Sequence, residues 1–466
     1  MSDLRTFLDC VRRERRSDLL EIERQVSPRH ETTAIMTKLE GRQRSPILFF
    51  KKIAGSPFPL VSNLCGSMGR LALALDCPLN QFSERYAERS QQRIPPLPTK
   101  DAPVQRNVLR GNEVDLRLLP QLVYHEDDTD RPYITAGIAV ARHPDTQRVN
   151  LSYHRLMIAG RDKTAIYMEP TRHLDSIFQA HRRAGREMPI AVFIGGHPLW
   201  SLGALYSGPE EEYSVIGGLL TFPLPVSRCV LQSDLFVPAQ AEFVLEGVVP
   251  PDERIEEGPF GEFTGYGTGV TETPVFHVQA MTFRDHPIFQ DVISGHLEHL
   301  TLTVPALQYR MLSDARRVTG GVTRVGFLAP LTVVVALKKS DDDEPRQILQ
   351  TLLENDIYAK HVIVVDAHVD IGDLREVFTA IALNVQASRD VTLYPDLQGT
   401  PLDPSCPTHQ GRVSKMGIDA TRRIASNRFL TRNTVPKRLL DSIDISELLG
   451  HRPEVTHDPN RGRPKE

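Results

Sequence analysis

The first hundred residues combine helical spacing with short apolar runs. Leu4, Phe7, Leu8 and Val11 recur at three- and four-residue intervals, which predicts a helix with Asp3 as its N-cap. The segments that follow predict a strand over 19–22, a helix over 31–39 and strands over 47–50 and 60–61. The proline-dense segment 94–98 marks the end of this α/β region, which we place over residues 1–100.

From residue 101 onward the pattern becomes rich in β character. Apolar runs over 134–141 and 149–158 flank the turn His143-Pro144-Asp145-Thr146, which predicts an antiparallel hairpin. Further strands are predicted over 165–168, 190–194 and 275–283, with short helices over 173–184 and 211–220. We therefore expect a mainly antiparallel sheet or barrel over residues 101–299.

The last third of the chain predicts one long helix and then an alternating series. The apolar residues Leu302, Leu307, Met311 and Leu312 indicate one long helix over residues 300–318, which is expected to link two domains. Strands over 331–337, 361–365 and 391–394 then alternate with helices over 344–353 and 374–383. Such alternation is typical of a small α/β domain, expected over 319–449. Residues 450–466, rich in proline and charge, predict a flexible tail.

Composition narrows the class of protein. The chain has 466 residues, of which 40% are hydrophobic and 24% charged, as in ordinary globular proteins. A net charge of −4 gives no electrostatic footprint for nucleic acid or an anionic membrane surface, and no uninterrupted run of 18 apolar residues occurs. The N-terminus lacks a signal-peptide pattern, and the five cysteines are scattered without a Cys-x-x-Cys pair. These features predict a cytoplasmic protein with reduced thiols.

The segment Glu257-Gly-Pro-Phe-Gly-Glu262 is the first candidate for chemistry. Proline fixes its own φ and glycine permits unusual backbone angles, so the turn between the two carboxylates is expected to be stiff. Two carboxylates held close raise the pKa of at least one of them, and a carboxylic acid protonated near neutral pH can donate a proton. An acidic surface turn is the alternative.

Polar residues also follow the second strand of the predicted hairpin, in Asn150-Leu-Ser-Tyr-His-Arg155. Alternation sends Asn150, Ser152 and His154 to one face of the strand and Arg155 to the other. Polar groups inside a half-buried hairpin need partners, which favours a site, although an exposed strand face fits the pattern equally well.

Two predicted helix starts carry further candidates. His173 lies near a helix N-terminus, which attracts phosphate, and Glu212 ends the triple acid Glu210-Glu211-Glu212 in another first turn. Taken singly, His173 is explained as a capping or surface residue, and the acids are explained by the helix dipole.

Taken together and in this order, these segments resemble the UbiD family of decarboxylases, which includes the ferulic acid decarboxylases and uses prenylated FMN. Lys360 before Val362-Ile-Val-Val-Asp366 and the segment Ser414–Thr421 extend the similarity from the first helix to about residue 421. The resemblance implies a split-barrel flavin-binding domain between an N-terminal α/β region and a linker helix, followed by a C-terminal α/β domain that makes the contacts of a homodimer or larger oligomer.

The resemblance also implies roles for particular residues. Asn150, His173 and Glu212 would hold Mn²⁺ or Mg²⁺, a metal choice that hard oxygen ligands and one imidazole suit. Lys360 would reach the cofactor phosphate, and carbonyls over 204–207 would hold K⁺. Further cofactor contacts would come from Ser152, Tyr153, Arg155 and Leu156. Catalysis would rest on three residues: Arg155 to orient the substrate carboxylate, Glu257 to fix Arg155, and Glu262 to protonate the product carbon.

This assignment makes chemical sense. Loss of CO₂ from an sp² carbon leaves an electron pair that no amino-acid side chain can accept, whereas prenylated FMN supplies an electron sink. The expected substrate is a small carboxylic acid, either aromatic, heteroaromatic or of the α,β-unsaturated acrylic type. The enzyme would depend on a prenyl-FMN synthase for its cofactor.

Two other functions compete with this prediction, and one further motif needs an interpretation. The chain could be a non-catalytic flavin-binding or cofactor-carrier protein, although such a protein would not need a proton donor. A two-carboxylate hydrolase is disfavoured, because both acids lie on one tight turn. His296 and His299 flank Glu298 in a pattern that could bind metal; we expect instead a helix start near the substrate pocket, with a solvated turn as the alternative.

Overall fold

The N-terminal region is a small sheet covered by helices. The structure, a computed structural model, describes residues 2–170, 172–206, 208, 210–407, 411–424 and 435–443. The predicted cap is present, since Asp3 Oδ1 accepts a hydrogen bond of 2.9 Å from the Thr6 N–H. A four-stranded sheet has the order Leu19–Val26, Ile47–Ile53, Leu60–Ser62 and Phe289–Asp291. The helices of this region are Leu4–Glu14, Glu31–Glu40, Met68–Ala74 and Phe82–Gln91.

Most of these elements match the predicted ones with longer bounds. The helices Met68–Ala74 and Phe82–Gln91 were not predicted. The first of them buries four of its seven residues, so it shows no clear polar face for a periodicity argument to detect.

The central part of the chain is a ten-stranded sheet in which every pairing is antiparallel. The predicted hairpin is confirmed by the antiparallel pair Ile138–Arg142 and Val149–Tyr153. Along the sheet the strand order is Tyr133–Ile134, Leu156–Ile158, Lys163–Ile166, Thr271–Phe283, Phe243–Val249, Met188–Ile194, Ile138–Arg142 and Val149–Tyr153, with Arg254–Glu257 and Asn107–Arg110 also paired to Thr271–Phe283.

The two ends of this sheet are joined through very short connections. Residues 135–137 link Tyr133–Ile134, the strand at one end, to Ile138–Arg142, the second strand from the other end. His154 with Arg155 link the strand at that other end, Val149–Tyr153, to Leu156–Ile158. Such links span at most about 14 Å, whereas six strand spacings across a flat sheet would span about 29 Å, so the sheet must curl until its ends approach each other. The predicted single strands over 134–141 and 149–158 are therefore wrong in one respect: each is divided where the barrel splits.

Both faces of the barrel wall are buried. Along Met188–Ile194, Val192 packs into one apolar cluster with Phe243, whereas Phe193 packs into another that includes Trp200. The helices around the barrel are His173–Arg183, Pro198–Ala204 and Glu212–Leu220. Smaller elements are the sheet of Phe236–Pro238, Pro225–Arg228 and Leu97–Pro98, the pair Phe260–Gly261 and Gly267–Thr268, and 3₁₀ turns at Arg16–Asp18, Leu79–Gln81, Pro103–Gln105, Gly111–Glu113 and Leu116–Leu118.

The predicted linker helix is present as Leu297–Val318. It leads to a five-stranded sheet of order Val322–Ala329, Thr332–Leu337, His361–Asp366, Arg412–Ala420 and Val391–Gln398, with helices Glu344–Asn355, Leu374–Asn384 and Ala387–Asp390. The α/β class is confirmed, although the outer strand Val322–Ala329 and the strand Arg412–Ala420 were not predicted.

Residues 1–421 form one compact unit by their contacts, and residues 422–466 form a second. In the second unit the helix Lys437–Ser442 is described, whereas the predicted tail 450–466 lies outside the described residues. No helix in the described ranges combines the length and apolar character that crossing a membrane requires.

Candidate active site

A cavity of about 810 Å³ opens at the split in the barrel. Its size lies within the usual range for cofactor and substrate sites. The wall combines the barrel strands, two helix starts, the linker helix and loops of the C-terminal sheet. Among its lining residues are Asn150, Ser152, Tyr153, His154, Arg155, Tyr167, His173, Phe260, Glu262, Phe263, His299, Phe327 and Tyr358.

A buried guanidinium–carboxylate pair lies beside the cavity. Arg155 donates from Nε and Nη2 to the two carboxylate oxygens of Glu257, at 2.9 and 2.8 Å. This parallel, two-bond geometry is the strongest arrangement available to arginine. The Tyr133 hydroxyl donates a further bond of 2.8 Å to Glu257, whose side chain is fully buried. Glu257 therefore fixes both the position and the plane of Arg155.

Glu262 occupies the remaining edge of the same guanidinium. Arg155 Nη1 donates to Glu262 Oε1, and the rings of Tyr167 and Phe260 lie 4.3 and 5.0 Å from the guanidinium carbon. Burial raises the pKa of Glu262 above its ordinary value, although Arg155 acts in the opposite direction. The three predicted catalytic residues thus converge, with one acid held against arginine by a two-bond fork and the other raised in pKa by its burial.

The turn between the two acids has the unusual shape that its composition predicts. Glu257 ends the strand Arg254–Glu257, and Glu262 directly follows the short strand Phe260–Gly261. The Gly258–Pro259 peptide is cis, and Gly258 has a φ of +96°. A Cβ atom at position 258 would lie 2.6 Å from the Gly269 carbonyl oxygen, so only glycine fits there.

Asn150, His173 and Glu212 also come together. Asn150 Nδ2 lies 3.1 Å from Glu212 Oε1 and 3.5 Å from His173 Nδ1, and the latter is 4.0 Å from Glu212. His173 and Glu212 are each the first residue of a helix, His173–Arg183 and Glu212–Leu220, as the sequence predicted. Residues far apart in sequence therefore place one imidazole, one amide and one carboxylate around a single point.

This donor set fits a hard divalent cation. Glu212 is fully buried, and burial raises its pKa to about 7. Its near neighbours are the Asn150 amide and the Leu151 N–H, which donates to it at 3.2 Å. A bound cation would supply the positive charge that keeps this carboxylate ionised. Within the described residues no group of three or more His, Cys, Asp or Glu side chains converges in a way that could hold a metal, so this candidate site depends on the Asn150 amide as its third donor.

Of the other candidates on the hairpin segment, Ser152 and Tyr153 line the cavity and Leu156 does not. Ser152 donates to Asn150 Oδ1 at 3.0 Å and lies 2.8 Å from His154 Nε2, so the three predicted same-face residues do share one side. Tyr153 lies with its hydroxyl 2.7 Å from that of Ser201. Leu156 is fully buried in the barrel core and is not part of the cavity lining.

Lys360 is not brought to the other candidates. Its Nζ lies 2.5 Å from both Asp403 Oδ2 and Ser405 Oγ, within the C-terminal region, and Lys360 does not line the cavity. Of the predicted K⁺ segment, residues 204–206 line the cavity, whereas Ser207 lies outside the described residues.

The pair His296 and His299 belongs to a helix start, as expected. His296 lies 2.8 Å from Glu40 through Nδ1, outside the cavity lining, while His299 lines the cavity beside Phe263. Burial lowers the pKa of His299 to about 4, so its imidazole is neutral. Glu298 is directed elsewhere, since it accepts the Cys65 N–H at 2.7 Å. These three side chains therefore do not share a metal.

Sequence reasoning missed several residues that complete the site. Tyr133 supports Glu257, and Tyr167 with Phe260 covers the guanidinium. Tyr358 reaches the cavity from the C-terminal region and packs edge-on against Phe263, with ring centroids 6.0 Å apart. The residues in contact are far apart along the chain, as Tyr133 and Glu257 are, or follow different strands, as Arg155 and Tyr167 do. No local spacing therefore predicts these contacts.

Comparison with known proteins agrees with this arrangement. Three family models match: the 3-octaprenyl-4-hydroxybenzoate carboxy-lyase N-terminal domain over residues 12–90, the Rift-related domain of the same enzyme over 96–297, and its C-terminal domain over 321–420. These matches define a carboxy-lyase. The chain belongs to the UbiD family of decarboxylases.

Individual relatives span nearly the whole chain. An anhydromevalonate phosphate decarboxylase of Methanosarcina mazei is 30% identical over 441 residues, which cover 93% of this chain and 100% of the relative. Two solved structures each cover 96% of this chain and 99% of their own, with TM-scores of 0.85. One is an evolved dimeric form of the UbiD-class enzyme HmfF from Pelotomaculum thermopropionicum in complex with prFMN, at 31% identity, and the other is the vanillic acid decarboxylase of Sedimentibacter hydroxybenzoicus, at 27% identity.

Proposed function

We propose that this chain removes CO₂, reversibly and without oxidation, from an sp² carbon of an aromatic, heteroaromatic or α,β-unsaturated carboxylic acid, with prenylated FMN as cofactor. The observation that carries the proposal is the convergence of Arg155, Glu257 and Glu262 at the cavity. A relative of the same fold is known in complex with prFMN. When bound, this cofactor supplies the electron sink that decarboxylation at an sp² carbon requires.

Arg155 binds the substrate carboxylate in this proposal. Glu257 occupies the Nε and Nη2 edge of the guanidinium, so the Nη1 edge, now in contact with Glu262, is the one that can turn to a substrate. Protonation of Glu262 removes its ionic attraction for Nη1 and frees that edge for a carboxylate. The raised pKa of Glu262 therefore serves substrate binding as well as proton donation.

Glu262 then delivers its proton to the carbon from which CO₂ has left. It lies at the cavity wall next to Arg155, so the donor is adjacent to the carboxylate that departs. Phe260 and Tyr167 cover the guanidinium and limit the access of water, which keeps the local dielectric low. Glu257 stays paired with Arg155 throughout and does not exchange a proton.

Asn150, His173 and Glu212 would hold Mn²⁺ or Mg²⁺ next to the cofactor phosphate. The fit rests on their hard donor atoms and on the buried carboxylate of Glu212. We propose further that carbonyls over 204–207 hold K⁺ and that Lys360 reaches the phosphate once its pair with Asp403 opens. The cofactor itself would come from a prenyl-FMN synthase.

The proposed substrate remains a class of acids. Relatives act on acids as different as anhydromevalonate phosphate and vanillic acid, by their names. In this chain Phe263, Phe327 and Tyr358 line the cavity, which suits a planar unsaturated body. A screen of CO₂ release from aromatic and acrylic acids by the prenyl-FMN-loaded enzyme tests the class.

A non-catalytic flavin-binding or cofactor-carrier protein is the competing function. A carrier function would explain the cavity and the metal donors. It would not explain the buried Arg155–Glu257 fork or the raised pKa of Glu262. The same screen separates the two, because a carrier binds the flavin and releases no CO₂ from any acid.

We expect Glu262→Gln to lower turnover by about 10²-fold or more, because glutamine keeps the shape of the side chain but has no proton to transfer. CO₂ release and product formation by flavin-loaded enzyme measure the effect, with flavin and metal content as controls that should not change. Release of product at the wild-type rate would remove Glu262 from the donor role and point to Glu257.

We expect apparent Mn²⁺ affinity, titrated in the presence of FMN, to rise roughly 50-fold between about pH 5 and about pH 7, because Glu212 must ionise to bind. Since the pKa of Glu212 in the metal-free fold is raised to about 7, its contribution to stability is present below its unfolded pKa of 4.5 and is lost as pH rises through 7. Added metal should restore that loss.

Two variants check this assignment of the metal site. Glu212→Gln should bind Mn²⁺ weakly and without this pH dependence. His173→Ala should lose metal and flavin together, since each completes the site of the other. Wild-type binding of both by His173→Ala would leave His173 as a helix-start residue alone.

We also propose a homodimer or larger oligomer assembled through the C-terminal domain. On the helix Leu374–Asn384, Leu374, Phe378 and Leu383 are exposed by 52%, 63% and 77%. Leu374 and Phe378 lie one helical turn apart and share a face, and exposed apolar side chains on one face favour association. An evolved form of a relative of the same fold is dimeric.

We expect Phe378→Asp to shift the protein to smaller species in light scattering, because a charge would have to be buried at the interface. Gln347→Asp, which adds the same charge to an exposed position on the helix Glu344–Asn355, is the matched control and should leave the mass unchanged. An unchanged mass for Phe378→Asp would contradict the proposed surface.

A further inference from the structure

Asp128 and Thr129 contact the backbone of the turn between Glu257 and Glu262. The N–H of Gly261 donates to Asp128 Oδ1 at 2.7 Å, and the N–H of Thr129 donates to the Pro259 carbonyl at 2.8 Å. The Asp128 side chain is only 4% exposed. The proposed reaction uses none of these groups directly, yet they attach to the backbone immediately before Glu262.

Asp128 is itself fixed by its surroundings. Its Oδ2 accepts the His125 N–H at 3.0 Å and lies 3.1 Å from His125 Nδ1. The His125 ring stacks on that of His296, with 6.4 Å between centroids and 9° between planes, and His296 lies 2.8 Å from Glu40. The carboxylate that holds the turn is therefore anchored to a helix of the N-terminal region and to the start of the linker helix.

Gly261 is held on both of its backbone polar groups. Its N–H goes to Asp128, and its carbonyl accepts from the Ser294 hydroxyl. A Cβ atom at Gly261 would lie 2.7 Å from His125 Nδ1, so the turn is packed directly against that ring. These contacts fix the two peptide units that flank Gly261, and with them the backbone position from which the Glu262 side chain extends.

We propose that Asp128 is a positioning residue that sets the placement of Glu262 relative to the reacting carbon. The inference rests on the proposed function, in which Glu262 donates the proton. Proton transfer to carbon is sensitive to geometry, and a displacement of about 1 Å can cost about 10²-fold in rate. Asp128 acts through hydrogen bonds to the backbone. In the described residues its carboxylate makes no contact with the Glu262 carboxyl group.

The test compares Asp128→Ala with Asp127→Ala, the neighbouring exposed acid, in flavin-loaded enzyme. Loss of the acceptor for Gly261 should lower kcat about 10-fold or more and leave KM within about 3-fold, because Arg155 and the substrate site are untouched. Amide exchange in a peptide that contains Gly261 should become faster. Asp128→Asn can keep a carbonyl oxygen for the Gly261 N–H but loses the second acceptor, which receives the His125 N–H, so it should recover only part of kcat, whereas Asp127→Ala should match the wild type.

The outcomes separate this inference from the function on which it rests. If Asp128→Ala keeps the wild-type kcat per bound flavin while Glu262→Gln is inactive, only the positioning role of Asp128 is overturned. If Glu262→Gln is active, the role of Glu262 as proton donor is overturned. A loss of kcat in Asp128→Ala without faster amide exchange in the Gly261 peptide also overturns the inference. If Asp128→Ala fails to fold, Ser294→Ala removes the hydroxyl on the Gly261 carbonyl. Because Ser294 also lines the cavity, a lowered kcat with unchanged KM and faster amide exchange in the Gly261 peptide supports the inference, and wild-type kcat contradicts it.

Discussion

The buried pair of Arg155 and Glu257 is the interaction on which the site depends. Both side chains are almost entirely removed from water, at 8% and 0% exposure. Removing two charges from water is costly, and the cost is offset only by good geometry and by additional hydrogen bonds. The two-bond fork, the Tyr133 hydroxyl and the rings over the guanidinium meet that requirement. A site of this kind must be built by the fold, since neither partner would stay buried alone.

The barrel split explains how the pair is assembled. Arg155 lies in the two-residue link between Val149–Tyr153 and Leu156–Ile158, so its backbone leaves the sheet and its side chain enters the cavity. Glu257 arrives on the strand Arg254–Glu257, which pairs with the long strand Thr271–Phe283 of the same sheet. Glu262 follows on the turn that Asp128 holds. Rigid strands thus place the arginine and its partner, and a clamped turn places the proton donor.

Sequence patterns were sufficient for the parts of the site that local structure determines. Periodicity and turn residues predict the helix starts at His173 and Glu212 and the hairpin that contains Asn150. The structure contains all three. The burial of Glu212 was not predictable, because an acid in a first turn is already explained by the helix dipole.

Other features depend on contacts between distant segments. Alternation assumed one continuous strand through Arg155, whereas closure of the barrel interrupts that strand. The pair of Lys360 with Asp403 and the bond from Tyr133 to Glu257 join residues more than forty positions apart. No local spacing encodes such contacts. The ordered motifs identified the chemistry, and the tertiary structure was needed to show which atoms meet.

The most direct measurement of the central claim is CO₂ release by Arg155→Lys enzyme of equal flavin content to the wild type. Lysine keeps the positive charge but cannot bind Glu257 through a fork and still present a fixed edge to a substrate carboxylate. The account predicts a raised KM together with a fall in kcat of about 10²-fold or more. Turnover close to that of the wild type would show that charge alone suffices and would contradict the role given to the Arg155–Glu257 geometry.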